Sequence, residues 1–365
     1  MTGMRGAIIA ATISWLAGDG SAFQPSGRQG QPQFAGNVLR RHRHHQRRSS
    51  QNALLLAPAD PSAIAGNRKY LNETLGFSED QLDKLSQKVG TYILTLETVV
   101  LKERVRWLTE RLGLEKGGMK KIVQKTPNVL GFQSEETLAP KLKYLQTRLL
   151  LDDKSLRKMI LSTPGVLACS TEDNIAPKLE WLQRRLALDD AAVSKTLQRC
   201  PTLFLCSVEA NIAPKLDWLQ QRLHMDNAAA SKMILKNPST LNMNMETCVA
   251  PKLTWLQQRL GLNDTAVSDM IQKSPSLLSY SIEGNVEPTL NFYVDALEDE
   301  QEALSFVVRH PSVLARSLEK RLQPRLEEAR AAGIVVGAAC LKRMAGYTAA
   351  KWEASVLHHI STDTV

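Results

Sequence analysis

Prolines recur along this 365-residue sequence at a spacing of 37 residues. One series lies at positions 140, 177, 214, 251 and 288, and Pro324 follows after a step of 36. A second series comprises Pro127, Pro164, Pro201, Pro238, Pro275 and Pro311. A fixed period of roughly 20–50 residues is typical of solenoids, in which each unit buries its apolar face against its neighbours. The spacing therefore predicts a linear array of about seven units and a binding scaffold rather than an enzyme.

Each unit has the pattern of two helices. The first begins with Pro-Lys-Leu, as at Pro177, and proline suits the first turn of a helix because its missing N–H would have no partner there. Leu179, Leu182 and Leu186 then fall on one face of that helix. A shorter second helix is predicted over 191–199, ending before the proline of the second series. Because no strand alternation competes with this pattern, the predicted fold class is an all-α helical-repeat solenoid.

One aromatic position also follows the period. Its register beside the leucine stripe favours packing between units over stacking against nucleic-acid bases, the alternative role for exposed rings. The aromatic column consists of Tyr70, Trp107, Tyr144, Trp181, Trp218, Trp255 and Phe292.

The N-terminal segment has the composition of a targeting sequence. Residues 1–22 hold a basic start, a short apolar run and small residues, as in a signal peptide, and residues 23–65 resemble a disordered transit peptide. The junction 21–25, Ser-Ala-Phe-Gln-Pro, resembles the cleavage motif of algae with secondary red plastids, which implies a chloroplast destination. A mitochondrial presequence or a secreted protein are the alternatives. We assign the repeats to 66–323 and a degenerate C-terminal cap to 324–365.

The net charge of +9 does not by itself predict a nucleic-acid-binding protein. Residues 1–65 carry seven arginines and two aspartates, which leaves a net charge of only +4 on the rest of the chain. If the N-terminal segment is removed, a polyanion site must come from the arrangement of the basic residues rather than from their total.

The repeated motif resembles the mitochondrial transcription termination factor (mTERF) family. It combines a second helix ending in Pro-x-[Val/Leu]-Leu with a following Asn-x-x-Pro-Lys-Leu-x-x-Leu, and it recurs over about residues 66–345. The segment 75–82, Leu-Gly-Phe-Ser-Glu-Asp-Gln-Leu, is also similar to the family's entry segment. The 37-residue period differs from the roughly 34 residues of tetratricopeptide repeats.

The resemblance implies a left-handed superhelix of helix-helix-3₁₀ units whose basic concave face binds organellar DNA or RNA. It implies a role in organellar gene expression: transcription termination or initiation, ribosome assembly or intron splicing. The alternative is a protein-binding scaffold in an organellar transcription or ribosome complex. We expect a monomer with no membrane association, and the binding of double-stranded DNA or of RNA stays open.

Basic residues also follow the period, as a repeating phosphate lattice would require. Two columns lie on the first helix: Arg104, Lys141, Lys178, Lys215 and Lys252, then Arg111, Arg148, Arg185, Arg222 and Arg259. Two lie on the second helix: Lys121, Lys158, Lys195 and Lys232, then Lys125, Arg199, Lys236, Lys273 and Arg309. The second-helix columns are the preferred phosphate contacts, because the resemblance implies that the shorter helices lie nearer the groove.

Each column also has an explanation without a ligand. Basic residues near a helix C-terminus stabilise the helix dipole, and long basic side chains cover apolar surface beside a leucine stripe. The chain contains no phosphate-cradling glycine motif and no recognisable nucleophile setting, so we predict no enzyme activity and no cofactor. The five cysteines show neither zinc-ligand spacing nor a disulfide framework.

Overall fold

A computed structural model describes residues 61–89 and 93–362 of the chain, and every regular element in this part is helical. The first helices of successive units are α1 (Pro61–Leu75), α3 (Thr98–Leu112), α5 (Ala139–Arg148), α7 (Ala176–Leu186), α9 (Ala213–Arg222), α11 (Ala250–Leu260), α13 (Glu287–Leu297) and α15 (Gln323–Ala331). The second helices are α2 (Glu79–Val89), α4 (Lys116–Lys125), α6 (Asp153–Ser162), α8 (Asp190–Arg199), α10 (Asn227–Lys236), α12 (Asp264–Lys273) and α14 (Glu300–Arg309). Helices α16 (Ala338–Gly346) and α17 (Ala349–Thr362) follow. The predicted all-α helical solenoid is confirmed.

Two short turns connect each second helix to the next first helix. A 3₁₀ turn begins at each proline of the second series: Pro127–Gly131, Pro164–Ala168, Pro201–Leu205, Pro238–Asn242, Pro275–Ser279 and Pro311–Ala315. A single π-helical turn then runs directly into the first helix: Ser134–Leu138, Thr171–Ile175, Val208–Ile212, Met245–Val249, Ile282–Val286 and Leu318–Leu322. The side chain of the residue before five of these turns caps it, as when the Ser170 hydroxyl accepts from the Asp173 N–H.

The core is continuous from unit to unit because each unit contributes the same apolar positions. In α7 the predicted stripe Leu179, Leu182 and Leu186 is buried. Val193 and Leu197 of α8 are buried as well. Adjacent second helices pack against each other, as α8 does against α10, and successive 3₁₀ turns are also in contact. The array therefore forms one extended hydrophobic core.

Every first helix from α3 to α13 is followed by a residue in the left-handed conformation. The six residues are Gly113, Leu150, Ala187, His224, Gly261 and Glu298, with φ between 47° and 62°. Glycine takes this conformation without steric cost, but only two of the six units have it. His224 is one of these left-handed residues, and it directly follows the cap residue Leu223.

The two ends of the described array depart from the regular unit. Helix α1 begins at Pro61, before the boundary at residue 66 that composition suggests, and its Ile64 packs against the core. At the other end Trp352 of α17 is buried, and its indole N–H donates to Glu328 at 2.6 Å. Within the described residues, no helix is both long enough and apolar enough to span a bilayer. The targeting-peptide predictions for residues 1–60 lie outside the described part.

Candidate nucleic-acid interface

The first basic column of the first helices points into the protein. Each side chain donates to a backbone carbonyl 26 residues later, in the 3₁₀ turn of the same unit. The pairs are Arg104 with Leu130 (2.6 Å), Lys141 with Leu167 (2.6 Å), Lys178 with Phe204, Lys215 with Leu241 (3.0 Å) and Lys252 with Leu278 (2.6 Å). We call this set the carbonyl column. It links each first helix to the turn that ends the unit.

Burial in the carbonyl column is deepest at Lys141 and Lys178, which are 5% and 3% exposed. Removal from water disfavours the charged form, so burial lowers the pKa of both ammonium groups below the ordinary lysine value. The charges are tolerated because each ammonium has a backbone carbonyl partner. A phosphate could reach neither nitrogen without opening the unit.

Two further residues extend the carbonyl column, and sequence reasoning missed both. Asn67 of α1 lies one period before Arg104, and its amide donates to the Leu94 and Leu96 carbonyls at 2.8 and 2.7 Å. Arg325 of α15 follows the last proline and donates to the Met344 and Tyr347 carbonyls at 2.5 and 2.9 Å. Asn67 lies at a position that the 37-residue period marks as equivalent to Arg104, but asparagine is not basic and so does not belong to a column of basic residues.

The second column of the first helices forms an arginine ladder between units. Arg148 shows the arrangement: one guanidinium nitrogen bonds Asp190 at 2.5 Å, and the other bonds Gln183 at 2.6 Å. Gln183 in turn donates to Asp190 at 2.5 Å. Arg111, Arg185, Arg222 and Arg259 occupy the same position and reach Asp153, Asn227, Asp264 and Glu300 at the start of a later second helix.

The arginine ladder lowers the pKa of two of its carboxyl partners as well as holding units together. Hydrogen bonds from Arg148 and Gln183 lower the pKa of the Asp190 carboxyl, and Arg222 with Gln257 does the same for Asp264. The arginine charges are therefore largely neutralised locally. They are half-buried and already committed to carboxylate and amide oxygens.

The C-terminal column of the second helices also makes contacts between units. Arg199 donates to the Leu235 and Lys236 carbonyls at 2.7 and 2.8 Å, at the end of α10. Lys236 donates to the last carbonyls of α12, and Lys125 reaches Ser162. A basic group at a helix C-terminus satisfies unpaired carbonyls and interacts favourably with the dipole. These side chains therefore stabilise a helix dipole, as the sequence predicts without a ligand, but the helix is the second helix of the next unit rather than their own.

The remaining column stands apart because its members are solvent-exposed and have no partner within residues 61–89 and 93–362. Lys121, Lys158, Lys195 and Lys232 are exposed, and among the described residues none forms a hydrogen bond or ion pair through its side chain. Lys84, one period before Lys121 on α2, is also exposed and unpaired there. It was missed because the α2 unit lacks the second-series proline. We call these five residues the lysine stripe; exposed Asp269 takes the equivalent position in the next unit.

Lys273 and Arg309 complete the set of predicted contacts, and both are exposed on the last turns of α12 and α14. Arg309 donates only to Ser305 of its own helix, at 3.2 Å. Of the four basic columns, the second-helix pair thus presents the exposed cations. The first-helix pair is tied to the protein itself.

The aromatic column packs against the hydrophobic core. Its members from Tyr70 to Trp255 are half-buried, and Phe292 is buried. The indole N–H of Trp107 donates to Glu135 at 2.5 Å, and that of Trp218 donates to Glu246 at 2.9 Å. Both glutamates lie in the π turn of the following unit. Packing and hydrogen bonding between units therefore occupy these rings, as the register beside the leucine stripe predicts.

Within the described residues, no group of three or more His, Cys, Asp or Glu side chains is arranged to hold a metal ion. The five cysteines are free thiols, and burial raises the pKa of Cys169 and Cys340. Cys169 and Cys206, which lie one period apart, are both half-buried.

Comparison with protein families agrees with the repeat architecture. The mTERF family model matches residues 59–187 and 183–353, which together span well over half of the chain. A search of curated proteins finds no match. The mTERF family comprises non-enzymatic helical-repeat proteins of mitochondria and plastids, and it is known for nucleic-acid binding and transcription termination. The chain belongs to the mTERF family.

Proposed function

We propose that this protein binds organellar DNA or RNA along its second helices and thereby regulates organellar gene expression. The observation that carries the proposal is the lysine stripe, in which five successive units present an exposed ammonium group at the same position, without a hydrogen-bond or ion-pair partner in the described part of the chain. Neighbouring packed helices lie roughly 8–10 Å apart, so the stripe is a row of evenly spaced positive charges. Such a row suits a polyphosphate backbone, and it carries no base preference of its own.

The test is the salt dependence of binding by the double variant Lys195→Ala with Lys232→Ala. Each phosphate contact contributes about 0.9 to the slope of log K against log salt on duplex DNA and about 0.7 on single strands. We therefore expect the slope to fall by about 1.4–1.8, uniformly across sequences. Lys195 and Lys232 make no hydrogen bond or ion pair within the described chain, so the fold should not change.

A matched control removes two exposed lysines from other elements, Lys143 of α5 and Lys320 of the last π turn. This variant has the same change in net charge and should keep the wild-type slope. Equal losses in the two variants would contradict a contact at the stripe. Arg199 is not suitable for this experiment, because Arg199→Ala also removes two hydrogen bonds to α10.

A protein-binding scaffold is the competing function, and one observation favours it. The carbonyl column and the arginine ladder hold ten of the predicted phosphate-binding cations in intramolecular contacts. The body of the protein therefore presents fewer free cations than its sequence implies. Two results would support this alternative. Nucleic acid would bind weakly and independently of the lysine stripe, and the protein would form a stable complex with an organellar polymerase or ribosome protein.

We further propose that residues 1–65 direct the protein to a chloroplast, with the mitochondrion as the alternative. The support is the basic, acid-poor composition of 23–59 and the Ser-Ala-Phe-Gln-Pro junction at 21–25. A fluorescent fusion to residues 1–65 should enter plastids, and a mitochondrial signal would select the alternative. Crosslinking in isolated organelles and sequencing the bound nucleic acid would then distinguish transcription termination on duplex DNA from RNA maturation or splicing.

A further inference from the structure

The stack of 3₁₀ turns ends in a cavity. Each 3₁₀ turn from Pro127–Gly131 onward is in contact with the next, but no further 3₁₀ turn follows Pro311–Ala315 in the described chain. Helix α16 contacts this last turn instead. A helix does not reproduce the surface of a 3₁₀ turn, and a cavity of about 410 Å³ lies between the two elements.

The walls of this terminal cavity are basic. Arg316 follows the 3₁₀ turn, and Lys342 and Arg343 lie on α16. The other polar side chains at the cavity are those of His310, Ser312 and Tyr347, and none of the lining residues carries a carboxylate. In the arginine ladder, by contrast, each guanidinium has a carboxylate or amide partner.

Arg316 departs from the repeat in the unit that borders the cavity. The residue that directly follows the 3₁₀ turn has neither a basic nor a carboxyl side chain in the five earlier units, where it is aromatic, a thiol or a thioether: Phe132, Cys169, Cys206, Met243 and Tyr280. In the last unit it is arginine. The Nε atom of Arg316 is buried and has no hydrogen-bond partner, and no partner for the rest of its guanidinium is found among the described residues. Because Arg316 also lines the cavity, the charge of its guanidinium favours an anion there.

His310 takes the position that small or uncharged polar residues hold in earlier units. Partial burial and the neighbouring charges of Lys342 and Arg309 lower the pKa of its imidazole. A neutral imidazole can donate one hydrogen bond at neutral pH. The cavity thus combines a planar guanidinium fork, two flexible cations and neutral donors.

We propose that this terminal cavity is a phosphate-binding site that takes the phosphate monoester of a nucleotide. Arginine pairs with phosphate through two parallel N–H bonds, and the cations surrounding it match a doubly charged group. A volume of about 410 Å³ lies in the range of small-molecule sites, and it accommodates a mononucleotide. The phosphate can belong to a free mononucleotide or to the end of a nucleic-acid strand, and the second source rests on the proposed nucleic-acid-binding function.

Calorimetric titration of the full chain with AMP, adenosine and inorganic phosphate tests the site. We expect AMP to bind at least tenfold more tightly than adenosine, with inorganic phosphate competing. Arg316→Gln should weaken AMP at least tenfold. Because Arg316 is half-buried, the exposed double variant Lys342→Ala with Arg343→Ala serves as a second test, and it should weaken AMP without lowering the melting temperature. Lys143→Ala, on distant α5, should bind AMP as the wild type does.

Oligonucleotides that carry either a terminal phosphate or a terminal hydroxyl distinguish the two sources. A strand-end site predicts at least a fivefold preference for the phosphorylated end that Arg316→Gln abolishes, whereas Lys195→Ala with Lys232→Ala lowers affinity for both ends equally. AMP binding without this preference assigns the site to free mononucleotides. If no oligonucleotide binds, the proposed function fails while the AMP titration still reports on the cavity. The proposal is overturned if Arg316→Gln changes neither the binding of AMP nor the binding of the phosphorylated oligonucleotide end.

Discussion

Replacing Lys178 by methionine should destabilise the fold and leave nucleic-acid binding unchanged. The Lys178 ammonium is buried and donates to the Phe204 carbonyl and to Asn174 Oδ1, the latter at 3.1 Å. Methionine keeps the length of the side chain and fills a similar volume. The substitution therefore removes the hydrogen bonds and the charge while leaving the packing nearly intact.

The magnitude follows from two opposing effects. Loss of a hydrogen bond from a charged donor costs about 1.5–3 kcal/mol, much of it because the buried Phe204 carbonyl loses its partner. Methionine also removes a buried charge, whose desolvation lowers the pKa of Lys178 and opposes folding. We expect a net loss of about 2 kcal/mol in the free energy of unfolding. At about 2–4 °C per kcal/mol, the melting temperature should fall by about 4–8 °C.

Thermal denaturation, urea denaturation and the salt slope of binding together form the assay, with Lys195→Met as the matched control. Lys195 is exposed and makes no intramolecular bond within the described chain, so its substitution should change stability by no more than about 0.5 kcal/mol. It should instead lower the salt slope by about 0.7–0.9. A Lys178→Met protein that is as stable as the wild type but has a reduced slope would refute the structural role of the carbonyl column.

Three further predictions concern contacts between and within units. Trp218→Ala should lower the free energy of unfolding by about 2–3 kcal/mol without changing the salt slope, because the half-buried indole packs on the core and donates to Glu246. Asp190→Asn should remove a pH dependence of the melting temperature. The ionised Asp190 carboxylate stabilises the fold at any pH above 3.8, the ordinary pKa of aspartate, because its pKa is lowered in the folded protein. This stabilisation is lost as the pH falls through the folded-state pKa, so the melting temperatures of wild type and variant should converge in acid. Ala187→Gly should raise stability by about 0.5–1 kcal/mol in thermal denaturation, because φ at this position is 50°.

The fold could be predicted because each local signal agreed with the period. Proline at the start of the first helix and of the 3₁₀ turn determined the element boundaries to within about a residue, as at α8, which begins at Asp190 rather than at 191. The π turn before each first helix could not be predicted. Its cap residue, Ser170 in one unit, is of a type that is common before any helical turn, and the five-residue hydrogen-bond pattern leaves no separate trace in the sequence.

The direction in which the basic columns face follows from their offsets to the apolar positions of the same helix. Lys178 lies four residues before Leu182 and next to Leu179, so a helical projection places it at the edge of the buried stripe. Lys195 lies two residues from both Val193 and Leu197, on the opposite side of α8. The burial of one lysine and the exposure of the other follow from these offsets.

Contacts between units were beyond the reach of the sequence. The arginine ladder joins residues 35 and 42 positions apart, as from Arg148 to Gln183 and Asp190, and this distance is set by how adjacent units stack. The terminal cavity is also a product of stacking, because it arises where the regular succession of 3₁₀ turns stops. The 37-residue period shows which residues are equivalent in successive units. Which residue of one unit contacts which residue of the next depends on how the two units are rotated relative to each other.

The lysine stripe also limits the salt dependence that the wild-type protein can show. If the five lysines are the phosphate contacts, the slope of log K against log salt should be about 4.5 on duplex DNA and about 3.5 on a single strand. If the carbonyl column and the arginine ladder also contacted phosphates, ten more cations would contribute and the slope would exceed 10. Measuring this slope between about 50 and 200 mM salt therefore separates the two interpretations without any mutation. The ten second-helix cations together would give about 9 on duplex DNA, so a value well above 10 there would mean that first-helix contacts open on binding. The arginines of the ladder would then have to leave their carboxylate partners to reach the backbone.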